Sequence, residues 1–237
     1  MPNFIFMVRI SVVIPACNEE KYIVNTLQNI QSLNDPDVET IVVCNGCTDN
    51  TESLAKKAAN QSTRIISFKE GHVSKARNIG AQKAEGETLL FLDADSLVSE
   101  DTFSRIKEDF SDKHAVATTK VQPDDPKLKY KFAMGFKNFY HTTNLYQGCS
   151  GALICRKEDF DKVDGYDASL KVKEHRKLIL KLKRHTGKEF TCLDTNITTS
   201  MRRFQQWGLT KATFFWLGQW VKNYFGDLKH SEYEKVR

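Results

Sequence analysis

Two carboxylates, Asp93 and Asp95, stand one residue apart directly after the apolar run Leu89-Leu90-Phe91-Leu92. Hard oxygen ligands at that spacing could hold Mg²⁺ or Mn²⁺, and a cation so held could bind a diphosphate. Asp-Ala-Asp followed by Ser96 would equally make an ordinary acidic turn or helix cap. The apolar run itself suits a strand buried on both faces of a parallel sheet. The aspartates then lie just past its carboxyl end, where open α/β sheets bind ligands.

Three other polar segments have the same placement. Pro15-Ala16-Cys17-Asn18-Glu19-Glu20 follows a first strand, and Cys44-Asn45-Gly46-Cys47-Thr48-Asp49 follows a second. Lys75, Ala76, Arg77, Asn78 and Gly80 open a third helix. On one rim of a sheet these would supply polar groups for a base and ribose, cations for phosphates and carboxylates for a metal. Cys44 and Cys47 also read as C-x-x-C between a strand and a helix, a redox motif or half of a zinc site elsewhere. A redox role would leave the other segments without purpose, and no second C-x-x-C or H-x₃₋₅-H pair completes a zinc site. A nucleotidyltransferase would share the sheet and the paired aspartates, but it opens with a glycine-rich loop after the first strand, and none is present here.

The elements that must position these residues are legible in the alternation of the first half. Ile10–Ile14, Thr40–Val43, Arg64–Phe68 and Thr88–Leu92 read as strands. Helices over Glu19–Leu33, Thr51–Ala59 and Ser74–Ala84 lie between them, the first capped by Asn18 and the second by Asp49 or Thr48. Strands separated by such helices imply right-handed βαβ units and a mostly parallel sheet flanked by helices, an α/β fold. Beyond Val121 the rhythm changes. Tyr130–Tyr146 is aromatic-rich and helical in pattern, Ala152–Cys155 is an apolar run, and Leu209–Phe225 carries apolar residues at helical spacing.

Composition sets outer bounds. The chain has 237 residues, 40% hydrophobic and 27% charged, which excludes disorder and fits a single domain. A net charge of +5 is compatible with anionic substrates or an anionic membrane surface, but is too diffuse for a nucleic-acid partner. The apolar stretch Phe4–Ile14 is broken by Arg9, and no run reaches the ~18 apolar residues of a spanning helix, so a cytoplasmic protein, soluble or peripheral, is expected. The six cysteines (17, 44, 47, 149, 155, 192) then read as free thiols.

Taken in order, P-x-x-N-E-E at 15–20, V-V-C-N-G-C-T-D-N-T at 42–51, K-A-R-N-I-G at 75–80 and F-L-D-A-D at 91–95 resemble the family 2 glycosyltransferases of the GT-A fold. The resemblance continues through Gly148–Arg156, Gly165-Tyr166-Asp167 and Ser200-Met201-Arg202-Arg203-Phe204. It implies a GT-A type nucleotide-diphospho-sugar transferase fold and an inverting, Mn²⁺- or Mg²⁺-dependent transfer of a sugar from a nucleoside-diphosphate sugar. The donor half would be residues 1–98, the acceptor and catalytic half 99–208, and an amphipathic helix and tail 209–237.

Carried over residue by residue, Pro15, Ala16, Asn18, Glu19 and Asn45 would contact the nucleoside, with Lys75, Arg77 and Asn78 near the base or phosphates. Asp93 would face the ribose or metal, Ala94 would contact the nucleotide-sugar, and Asp95 would be the principal metal ligand. Arg202 and Arg203 have guanidinium forks that match phosphate oxygens, or they serve as surface ion pairs. Gly148, Tyr166 and Asp167 would line the acceptor site, unless Gly165-Tyr166-Asp167 is an ordinary turn.

The chain departs from the family's pattern twice. Cys44-Asn45 stands where an acidic residue is common. Glu174-His175 stands where a Glu is usually followed by the catalytic Asp, so the proton acceptor would be Glu174 or His175, or the stretch is a solvated basic helix. A third alternative is an acceptor that is already anionic, such as a polyprenyl phosphate, which needs no base. The acceptor itself, glycan or lipid-linked, is not legible. The aromatic tail fits core packing, a homodimer face or peripheral membrane docking. Outside catalysis, a non-catalytic sugar-nucleotide-binding module remains the alternative.

Overall fold

The computed structural model describes residues 9–143, 145, 147–170 and 173–208. The expected helix over Leu209–Phe225, the tail to 237, the start of Phe4–Ile14 and Val172 lie outside the described residues. Among those described, the strands are β1 (Ile10–Ala16), β2 (Val38–Asn45), β3 (Thr63–Phe68), β4 (Thr88–Phe91), β5 (Ser96–Val98), β6 (His114–Pro123), β7 (Leu153–Arg156) and β8 (Glu189–Thr199). The helices are α1 (Ile23–Ser32), α2 (Thr51–Ala58), α3 (Val73–Lys83), α4 (Thr102–Asp109), α5 (Leu128–Thr142), α6 (Lys157–Lys162) and α7 (Glu174–Thr186). Residues 202–208 are also helical.

All the strands join one sheet in the order β3-β2-β1-β4-β7-β6-β8-β5. The first four are parallel, as the alternation predicts, and β6 and β8 run parallel to each other. Only β7 and β5 run against their neighbours. The apolar strands are buried on both faces, and alternate residues divide between two cores. Val12, Ile14, Val42 and Leu90 face α1, α2 and α4. Val13, Ile41, Val43, Leu89 and Phe91 face α3, α6 and α7. A smaller cluster joins Val121 of β6, Tyr130 and Met134 of α5, and Met201, with Phe204 packed against it.

Three expectations are corrected. Asn18 does not cap α1, which starts at Ile23 with no side-chain cap. Asn18 instead adopts φ +57 and exchanges two hydrogen bonds with Thr48, Nδ2 to Oγ1 at 3.0 Å and Thr48 N to Oδ1 at 2.8 Å. A tertiary loop contact has outcompeted the local cap. The helix expected over Tyr130–Tyr146 begins two residues earlier and ends at Thr142. The basic stretch around Lys177 is not simply solvated, because α7 buries Leu178, Ile179 and Leu182 in the second core.

Gly80 shows how closely α3 lies on the sheet. A Cβ there would fall 2.4 Å from Val13 Cγ1 and 3.2 Å from Val43 Cγ2. Gly80→Ala is therefore expected to destabilise the protein by about 1–3 kcal/mol through overpacking. Urea titration would report it as a lower midpoint at constant slope, and an unchanged midpoint would refute the close approach.

Candidate active site

The loops after β1, β2 and β3 meet at one end of the sheet. Pro15 and Ala16 are the buried last residues of β1, and the Ala16 carbonyl accepts the Asn45 amide at 2.9 Å, tying β1 to β2. Gly46, at φ +61, would place a Cβ 2.7 Å from the Gly71 nitrogen, so the loops after β2 and β3 touch there and only glycine fits. The Glu19 amide donates to Thr51 Oγ1 at 2.7 Å, and the Glu20 carboxylate accepts the Asn50 amide at 3.1 Å. Asn45 is buried, so it braces this rim rather than lying open on it.

Two arginines organise the carboxylates. Arg202 forms a two-pronged pair with Glu19, both contacts at 2.7 Å, and reaches Asp95 Oδ2 at 3.1 Å while lying over the Tyr22 ring at 4.8 Å. Burial, reinforced by Asp93 and Glu19 and opposed by Arg202, pushes the Asp95 carboxyl up to about 6. Arg77, nearly fully buried on α3, donates to Asp93 Oδ1 at 3.1 Å and to Glu174 Oε1 at 3.0 Å, with its guanidinium 5.3 Å from the Tyr166 ring centroid. One cation thus bridges the end of β4 to the first turn of α7. Ala94 between the aspartates is buried, and its carbonyl accepts Thr26 Oγ1 at 2.8 Å, which fixes the turn.

Several expected site residues do other work. Lys75 is held by Glu70, both carboxylate oxygens at 2.7–2.8 Å, and points to no aspartate. The Asn78 amide clasps the Tyr166 backbone with two bonds of 2.8 and 2.9 Å, fastening α3 to the Gly165 turn. Tyr166 lines no acceptor surface: it is buried, with its ring edge-on to Phe91 and Phe160 and its hydroxyl 2.9 Å from His175 Nδ1. Asp167 pairs with Lys177 and accepts the Ser169 amide, and these bonds hold its carboxyl below the ordinary range. Gly148 is buried.

Arg203 sits in the field of Asp93 and Asp95, with burial lowering its pKa. His175 lies 3.8 Å from Glu174 Oε1. Burial, then the Arg77 and Lys137 cations, hold its imidazole well below its ordinary pKa, so it is neutral at neutral pH.

Lys137 of α5 is the group that sequence reasoning missed. Its ammonium donates to the Ser150 carbonyl at 3.0 Å and feels both Asp93 and Cys149. The available signal was its helical position, three residues after Met134 on the buried side of α5. Burial, then the Asp93 charge, pushes the Cys149 thiol up to about 12. Cys44 is likewise pushed up to about 12, chiefly by burial, opposite to the thiolate a redox motif requires. None of the six cysteines is joined in a disulfide.

The model of glycosyl transferase family 2 matches residues 11–162, more than half of the chain. This chain belongs to that family. A curated relative, the minor teichoic acid biosynthesis protein GgaB of Bacillus subtilis, is 28% identical over 190 residues, 71% of this chain and 20% of GgaB. The chain spans about a fifth of the length of GgaB and of a second curated relative, the poly(ribitol-phosphate) beta-N-acetylglucosaminyltransferase TarS of Staphylococcus aureus. Among solved structures, S. aureus TarS 1–349 in complex with UDP-GlcNAc aligns with a TM-score of 0.66 at 19% identity, over 95% of this chain and 62% of that one. The mannosyltransferase PcManGT from Pyrobaculum calidifontis, in complex with GDP-Man and Mn²⁺, gives 0.67 at 20% identity over 79% and 56%. The α/β fold is thus the GT-A fold of this family, as the motif order implies.

Asp93 and Asp95 fit a divalent cation by donor chemistry. They are two hard carboxylates from one turn, and Mg²⁺ and Mn²⁺ favour oxygen ligands. Among the described residues no group of three or more His, Cys, Asp or Glu converges as a metal cage. Two carboxylates with substrate phosphates and water are the usual way such a cation is held.

Proposed function

We propose that this family 2 chain is an inverting glycosyltransferase that moves a sugar from a nucleoside-diphosphate sugar to an acceptor hydroxyl. The observation that carries the reading is the paired bridge across the rim. Arg77 joins Asp93 to Glu174, and Arg202 joins Asp95 to Glu19, at the carboxyl ends of the parallel strands. Neighbours of the same fold in complex with UDP-GlcNAc or GDP-Man support the donor class.

In this reading the β1 loop, from Pro15 to Glu19, holds the nucleoside, and Asn45 braces that loop through the Ala16 carbonyl. Arg202 and Arg203 offer guanidinium forks to the diphosphate, while Arg77 holds the carboxylates behind them. Asp95, with Asp93, would hold Mn²⁺ or Mg²⁺, which supplies Lewis-acid stabilisation of charge on the leaving diphosphate. The acceptor oxygen attacks the anomeric carbon in line as the carbon–oxygen bond to the diphosphate breaks, and the hydroxyl proton passes to a carboxylate opposite. Glu174 is that carboxylate, because Arg77 fixes it beside Asp93 and the weakly basic His175 is turned to Tyr166.

A thermal-shift screen of nucleoside diphosphates with and without Mn²⁺ tests the donor site. A nucleotide at about 100 times its Kd adds about 2.7 kcal/mol, an upward shift of roughly 5–10 °C for a chain of this size. The shift should need Mn²⁺ and vanish in Asp95→Ala. A metal-dependent shift that persists in Asp95→Ala would defeat the assignment. Release of nucleoside diphosphate when an acceptor is added separates catalysis from mere binding.

A further inference from the structure

One face of α5 lies exposed. Leu128, Phe132, Phe136 and Phe139 follow one another at helical spacing of four, four and three residues and are all largely exposed, Leu128 at 82% and Phe132 at 78%. Leu145, beyond the helix end, is also exposed. Single exposed apolar residues are ordinary, but a continuous aromatic stripe on one helix marks an interaction surface. The opposite side of the same helix is accounted for: Tyr130, Met134 and His141 are buried, and Asn138 exchanges hydrogen bonds with the Val121 backbone at 2.8 and 2.9 Å.

The chemistry beside the stripe indicates what covers it. At 100° per residue, Lys129 and Lys131 fall on its two sides, and both are exposed. No acidic residue occurs between Leu128 and Thr142, and the whole chain carries +5. An apolar stripe edged by lysines, on a helix without acids, is complementary to the interface of a bilayer with anionic headgroups. A protein groove would complement the phenylalanines but would leave the flanking cations without a counter-charge.

We infer that α5 docks this protein onto an anionic membrane surface, with Phe132, Phe136 and Phe139 entering the interface and Lys129 and Lys131 meeting the headgroups. Among the described residues no helix is long and apolar enough to cross a membrane, so the contact is interfacial. It stands on surface chemistry alone and rests on no part of the catalytic reading. Lys137 leaves the buried side of the same helix toward Ser150 and Asp93, so docking would orient the site relative to the bilayer.

The test is co-sedimentation of the full chain with phosphatidylcholine vesicles, with and without phosphatidylglycerol. Wild-type protein should sediment with the anionic vesicles. Phe132→Ser/Phe136→Ser/Phe139→Ser should lower the partition coefficient at least about 100-fold, since each ring leaving water is worth about tenfold. Its melting temperature should not fall. Lys129→Glu/Lys131→Glu should lose at least about tenfold on anionic vesicles and little on neutral ones. Wild-type protein that stays in the supernatant, or a triple variant that partitions as wild type does, overturns the inference. A triple variant that melts several degrees lower while still sedimenting places this chain's own residues over the stripe instead. A lipid-free dimer abolished by the triple variant, with vesicle binding intact, assigns the stripe to a second copy; either result also overturns it.

Discussion

Arg77→Ala is expected to lower both stability and activity more than any other single substitution at the rim. The guanidinium is nearly fully buried and is shared by Glu174, whose side chain is 15% exposed, and Asp93, 59% exposed. Deleting it leaves the Glu174 carboxylate inside the protein without its cation. Removing one partner of a buried pair costs about 3–5 kcal/mol, and water around Asp93 brings the expectation to the low end, about 3 kcal/mol. A chain of this length should then melt roughly 6–12 °C lower.

Arg77→Lys should recover part of the stability but little activity, because one ammonium cannot hold two carboxylates with the fixed geometry of a fork. The flat guanidinium over Tyr166 is lost as well. Calorimetry of the three proteins, with turnover measured in parallel, checks this. An Arg77→Ala protein melting within a degree or two of wild type would show that the bridge does not support α7.

The bridge also separates what local pattern encodes from what only the fold brings together. Strands β1 to β4 announce themselves by apolar runs, and the polar segments after them can only fall on one rim, so Asp93 and Asp95 were legible from local pattern and topology. Their partners were not. Arg77 meets Glu174 across 97 residues and Arg202 meets Glu19 across 183, and no period in a single sequence encodes such a pairing.

The burial of Tyr166 has the same origin. A Gly-Tyr-Asp segment reads as an open turn, and only the arrival of Phe91 and Phe160 makes it core. β6 and β8 carry no continuous apolar signal, because His114, Thr118, Thr119 and Lys120, or Thr191, Asp194 and Asn196, interrupt it. Those polar side chains are served by partners distant in sequence: Thr118 bonds Ala152, and Lys120 pairs with Asp194.

If His175 stands at the place of the family's usual Asp, as the resemblance implies, the chemistry of the site turns on its neighbour, and Glu174→Gln is expected to reduce kcat about 10²- to 10⁴-fold. The amide keeps the size of the side chain and can still accept from Arg77, so stability should change far less than in Arg77→Ala. His175→Ala should cost less than about tenfold, through lost positioning, since its imidazole is already a weak base and its Nδ1 is engaged by Tyr166. His175→Ala also removes the hydroxyl's partner in the core, so Tyr166→Phe serves as the control for that contact. If His175 were the base, the order of the two effects would reverse. If the acceptor presents an oxygen that is already anionic, Glu174→Gln/His175→Ala would keep full turnover, because no proton then has to be removed. Only a carboxylate acting on a hydroxyl predicts a large loss in Glu174→Gln, a small one in His175→Ala, and unchanged donor-dependent melting shifts in both.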